Sequence, residues 1–173
     1  MSSDFGHRIA LDRIRDGDRV DLVADDRERA AIAERLGLRS LERLEAHVRL
    51  ARDGVAVRSR GRLRASLEQS CVATGEPVAE HVDEPFEIVF VPEPREDADE
   101  EIELASKDCD IVFYDGAAID LGAAIADTLA LDMDPYPRSA GAEAALKEAG
   151  ILTEEQAGPF AALAKLRKGR DGS

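Results

Sequence analysis

Six arginines are spaced so that they could bind an anion together: Arg43, Arg49, Arg58, Arg60, Arg62 and Arg64. Leu44, Ala46, Val48 and Leu50 alternate with Arg43, Glu45, His47 and Arg49. Further on, Val55, Val57, Ser59, Gly61 and Leu63 alternate with Ala56, Arg58, Arg60, Arg62 and Arg64. Alternation at period two places each set on one face of a strand. Asp53-Gly54 between the runs is a hairpin signal. If that dipeptide forms the turn, Leu50 faces Val57 and Leu44 faces Leu63. On the other face Arg49 then meets Arg58, His47 meets Arg60, Glu45 meets Arg62 and Arg43 meets Arg64. Like charges opposed across strands destabilise a sheet, so something must offset them. A polyanion such as RNA would do so, because planar guanidiniums fork onto phosphate oxygens. An internal answer is equally open: Asp83 and Glu87 on a following strand, or an acidic run further on, could cover the arginines. Exposed ion pairs of that kind contribute only ~0–1 kcal/mol each.

Other chemistries find little support. The chain has two cysteines, Cys71 and Cys109, and three histidines, His7, His47 and His81, far apart in sequence. There is no Cys-x-x-Cys pair, phosphate loop, dinucleotide glycine fingerprint or serine elbow. Cys71 reads as a small buried side chain at a strand end. Acid/base catalysis needs positioned groups with tuned pKa values, and many of the carboxylates fall in one acidic run. We expect no catalytic residue, no metal and no cofactor.

Charge is distributed unevenly. The net charge is −14 over 173 residues. Residues 1–70 carry fifteen arginines against thirteen acids, whereas residues 71–173 carry eight basic residues against twenty-four acids. The first half could therefore meet nucleic acid although the whole chain is acidic. No apolar run approaches the ~20 residues of a membrane span, and the N-terminus lacks a signal-peptide stretch. The expectation is a cytoplasmic protein with reduced thiols.

The elements that must position the arginines can be read along the chain. Phe5, His7, Ile9 and Leu11 suggest a first strand, and Val20 to Val23 a short second one. Asp25 to Leu36 reads as a helix, with Asp25 and Glu28 at capping-box spacing and Gly37 just past its end. Val78, Val82, Phe86, Ile88 and Phe90 suggest a further strand, where Pro85 implies an edge or an interruption. Residues 92–110 carry six acids in the eight residues of EDADEEIE and read as a mobile loop. Leu121 to Met133 reads as a second helix capped by Asp120, with Leu121, Ile125 and Leu129 on its buried face. Pro135, Tyr136, Pro137 and Arg138 then form either a rigid helix stop or an extended docking segment. Residues 139–157 read as a flexible tether. In residues 158–173 a short helix starts at Pro159 and carries Phe160, Leu163 and Leu166 as an apolar docking stripe. The fold class expected is α+β. It comprises an antiparallel sheet of about five or six strands and two main helices in one domain over residues 1–138.

In order and spacing, ERAAIAERLGL, QSCVATGEPVAEHVDEPFEIVFVPE, IDLGAAIADTLALDMDPYPRSAGAE and GPFAALAKLRK resemble the YceD family. The resemblance runs from about Phe5 to Lys168. It implies a ribosome biogenesis factor needed for accumulation of 23S rRNA and assembly of the large subunit, not an enzyme. Its partner would be 23S rRNA or its precursor, or else a basic large-subunit ribosomal protein held by an acidic adaptor or chaperone. Some relatives carry a second cysteine shortly after the one matching Cys71. Here the stretch is Cys71-Val72-Ala73-Thr74, so that second cysteine is absent.

Overall fold

Local sequence chemistry explains how the first helix begins and ends. A computed structural model describes residues 5–94 and 109–150. α1 spans Asp26–Leu36, and the Asp25 side chain accepts from the backbone N–H groups of Arg27 and Glu28. The Glu28 carboxylate reaches back to the Asp25 N–H at 2.8 Å, completing the capping box. Gly37 closes the helix in the left-handed region at φ 67°, where a side chain would be strained. α2, Leu121–Asp132, starts where the Asp120 carboxylate accepts from the Ala123 N–H at 3.1 Å.

The described residues fall into two units: 5–69 with 79–135, and 70–78 with 136–150. The larger unit holds a five-stranded sheet in the order β2-β3-β4-β5-β6. Its strands are β2 (Arg19–Val23), β3 (Ser40–Asp53), β4 (Ala56–Ser70), β5 (Pro77–Pro92) and β6 (Asp110–Tyr114). β1 (Arg8–Ala10) and β7 (Ala118–Asp120) pair separately as a two-stranded sheet. One sheet face carries the core. Leu44, Ala46, Val48 and Leu50 of β3 and Val57, Leu63 and Ala65 of β4 cluster with Ile32 of α1 and Leu121, Ile125 and Leu129 of α2. The other face of β3 and β4 is exposed and charged.

The α+β class holds, but the sheet is mixed rather than antiparallel. β5 and β6 run parallel, with Ile88 beside Asp110 and Pro92 beside Tyr114. Parallel neighbours need a connection of a dozen or more residues, and the stretch read only as an acidic loop supplies that length. Most of it, 95–108, lies outside the described residues. Pro85 is accommodated because β6 pairs with Ile88–Pro92, so that among the described residues this part of β5 has no partner on the β6 side.

The hairpin register also differs from expectation. Asp53 pairs with Ala56, so Gly54 and Val55 are the central turn residues, with Gly54 at φ 60° and Val55 not at positive φ. A glycine with positive φ at the first central position, followed by a residue at negative φ, fits a type II′ turn rather than the I′ turn of Asp-Gly. Every pairing moves by two residues. Leu50 therefore faces Ser59 and Leu44 faces Ala65. A shift of two preserves the faces, so the arginines stay together with altered neighbours.

In the smaller unit Cys71 opens a tight turn: its N–H donates to the Glu76 carbonyl at 2.7 Å, and the Gly75 N–H donates to its own carbonyl at 2.9 Å. Val72 N–H donates to the Pro137 carbonyl at 2.9 Å, and Pro137 is buried. Tyr136 is 70% exposed. Within the stretch expected as a flexible tether, Ala142–Glu148 forms a third helix, α3, with Ala142 buried. The expected C-terminal helix, with Phe160, Leu163 and Leu166, lies outside the described residues.

Candidate nucleic-acid interface

Antiparallel pairing of β2, β3 and β4 builds cross-strand rows on the open face. Arg19 is opposite Arg49, and Arg49 is opposite Arg60. One row along, Asp21 is opposite His47 and His47 opposite Arg62. Next, Glu45 stands opposite Arg64. The expected partners Arg49 with Arg58, His47 with Arg60, Glu45 with Arg62 and Arg43 with Arg64 are therefore replaced; Arg58 is opposite Ala51 and Arg43 opposite Ser66. A bulge between Leu41 and Arg43 ends the regular register.

Carboxylates of β3 and β5 answer five of the guanidiniums. Arg60 grips Glu87 with two bonds, Nε at 2.8 Å and a terminal nitrogen at 3.1 Å. Arg58 lies 3.3 Å from the same carboxylate. Arg62 donates from Nε to Asp83 at 2.5 Å and to the Asp83 carbonyl at 3.3 Å. Arg64 reaches Asp83 at 3.4 Å and Glu45 at 3.9 Å, and Arg43 pairs with Glu45 at 2.5 Å. His47 Nδ1 is 2.7 Å from Asp21. The internal network weighed from sequence is thus present, with Asp83 and Glu87 in it. Among the described residues it does not balance the charge: seven arginines, Arg19 included, meet Asp21, Glu45, Asp83 and Glu87, with Glu84 close enough to act on Arg62. A shallow open groove of about 380 Å³ is lined by Arg19, Asp21, His47, Arg49, Arg60 and Arg62.

Electrostatics follow the pairing. The hydrogen bond from Arg62, then its charge and that of Arg64, hold the Asp83 carboxyl below the usual carboxylate range. Hydrogen bonds to Glu87 and Asp83 raise Arg60 and Arg62 above their ordinary values. For Asp83 the folded value is the depressed one. Its contribution to stability is therefore complete above the unfolded value of ~3.9 and disappears as pH falls through the lower folded value. We expect the Asp83 side-chain carbon in an NMR titration to have its midpoint below that of an unpaired aspartate. Arg62→Gln should move it up, whereas Arg49→Gln should leave it in place. An ordinary midpoint in the unaltered protein would contradict the pairing.

Sequence reading missed Arg19, because nothing local says which residue of β2 opposes Arg49. Its alternation with Asp21 on a short strand after a turn was the available signal. It also missed the setting of Cys71. That thiol is buried, accepts from the Ser139 N–H at 3.3 Å, and is held down to about 6 by hydrogen bonds from Ser139 and Thr74. Among the described residues, no group of three or more His, Cys, Asp or Glu is placed to hold a metal ion. Also among these residues, no helix is long and apolar enough to cross a membrane.

A family model described as the large ribosomal RNA subunit accumulation protein YceD matches residues 59–167, well over half of the chain. The chain belongs to the YceD family. That description points to a role in accumulating the RNA of the large ribosomal subunit, and it names no reaction. The YceD match covers Arg60, Arg62 and Arg64 with their partners Asp83 and Glu87, and starts after Arg19, Arg43, Arg49 and Arg58. No curated protein and no solved structure matched the chain.

Proposed function

We propose that this YceD protein is a non-catalytic, cytoplasmic ribosome biogenesis factor that supports accumulation of 23S rRNA by holding the RNA or its precursor against the open face of the sheet. The observation that carries this reading is the excess, among the described residues, of exposed guanidiniums over carboxylates on that face. Arg43, Arg49, Arg58, Arg60, Arg62 and Arg64 form the binding surface. Those paired with acids exchange one anion for another when phosphate arrives, so the acids set a threshold against weakly bound polyanions. Phosphate contacts position RNA without reading its sequence. Recognition of the correct RNA therefore needs a further contact. The exposed Tyr136 in the segment Pro135, Tyr136, Pro137 and Arg138, and the stripe Phe160, Leu163 and Leu166, are the docking elements we assign to it.

A second reading draws on the acidic half, in which twenty-four acids face eight basic residues. There the protein is an adaptor or chaperone for a basic large-subunit ribosomal protein. Ultraviolet crosslinking in cells, with sequencing of bound RNA and identification of bound proteins, separates the two. We expect crosslinks to large-subunit rRNA that map to peptides of β3 and β4. Crosslinks to a ribosomal protein alone, persisting after nuclease treatment, would replace the RNA reading with the adaptor.

A further inference from the structure

We propose that Arg19 and Arg49 form a clamp for an RNA phosphodiester, and that this pair is the primary anion contact of the open face. The inference deepens the RNA-binding reading and rests on it. The two residues are directly opposed on β2 and β3. Opposed positions in an antiparallel pair lie ~4.5–5.5 Å apart at Cα, close enough for two guanidiniums to flank one phosphate. Both side chains are exposed. Unlike Arg43, Arg58, Arg60, Arg62 and Arg64, neither has a carboxylate partner among the described residues. Two like charges facing each other without an intervening anion cost stability, and a phosphate between them reverses the sign of that interaction.

Arg60 completes the row from β4. It spends Nε and Nη2 on Glu87. A guanidinium has five N–H donors, so the Nη1 donors remain for a ligand while Glu87 holds the group in place. Asp21 lies one row away and would repel a phosphate, but it is engaged by His47 at 2.7 Å. The groove is open and shallow, which suits a polymer backbone passing over it better than a small ligand that must be enclosed. Along β4 the arginines recur every second residue, ~6.6–6.8 Å apart, a repeat comparable to one nucleotide of an extended strand. The clamp's row thus sits within a ladder whose other rungs on β4, Arg58, Arg62 and Arg64, are already bonded to Glu87 or Asp83.

The test uses the full chain and a short fluorescein-labelled single-stranded RNA, with affinity measured by anisotropy across a series of KCl concentrations. In Arg19→Gln/Arg49→Gln the slope of log affinity against log salt should fall by about 1.4, the value for two lost contacts at ~0.7 each on a single strand. Affinity at low salt should fall about tenfold. Arg60→Gln/Arg62→Gln should lose less, because their charge is already partly answered. Arg19→Lys/Arg49→Lys should keep the slope, since it retains both charges. The thermal midpoint of the double glutamine variant should stay level or rise. If the unaltered protein binds this RNA and the double glutamine variant matches it in slope and affinity, the clamp is wrong and the RNA reading survives. A clear drop in the midpoint would show the pair to be structural, which also overturns the clamp. Failure of the unaltered protein to bind at the lowest salt overturns the RNA reading and the clamp with it.

Discussion

Replacing Gly61 with alanine is expected to destabilise the larger unit by about 3 kcal/mol, at the upper end of the usual cost of overpacking. Gly61 lies opposite Val48, on the core face of β4. A Cβ built there would sit 2.0 Å from the His47 carbonyl oxygen and 2.9 Å from the tip of the Phe86 ring. The ring could turn aside. The carbonyl cannot retreat easily, because β3 is held between β2 and β4. Alanine also restricts the unfolded chain, which favours folding by ~0.4–1 kcal/mol, too little to offset a backbone collision. Urea unfolding should show a midpoint well below that of the unaltered protein with a similar m-value. Equal stability would mean that β3 and β4 are not packed in this register. The change should also weaken RNA binding, since Arg60 and Arg62 flank Gly61 and depend on the same backbone for their spacing.

The faces of β3 and β4 were legible because side chains alternate strictly along a strand. Their register was not, because a slip of two residues leaves every side chain on its face. What decided the register was the turn: Gly54 takes the first central position at positive φ and draws Asp53 into the strand opposite Ala56. The capping box of α1 was legible for the opposite reason, since Asp25 and Glu28 bond within one helical turn and need no tertiary partner. Non-local pairings were out of reach. The parallel placement of β6 beside β5 depends on a long connection, and the opposition of Arg19 to Arg49 depends on β2 folding back along β3. For the candidate site, composition and alternation revealed the arginine face and its acids Asp83 and Glu87. The rows that distinguish a paired from an unpaired arginine needed the fold.

Depletion of this protein in cells is expected to lower 23S rRNA severalfold relative to 16S rRNA. A factor that acts by binding protects only the molecules it occupies, and occupancy follows mass action. The loss of RNA should therefore track the loss of protein through the whole depletion. A catalyst behaves differently, because a small residual amount turns over many substrates and postpones the defect. The decisive measurement is the 23S to 16S ratio, with the sucrose-gradient profile of subunits, recorded against protein level during graded depletion. The ratio and the large-subunit peak should fall in proportion to the protein. An unchanged ratio at full depletion would contradict the role in large-subunit RNA accumulation, and a ratio held until the last trace of protein is gone would contradict a factor that acts by binding alone.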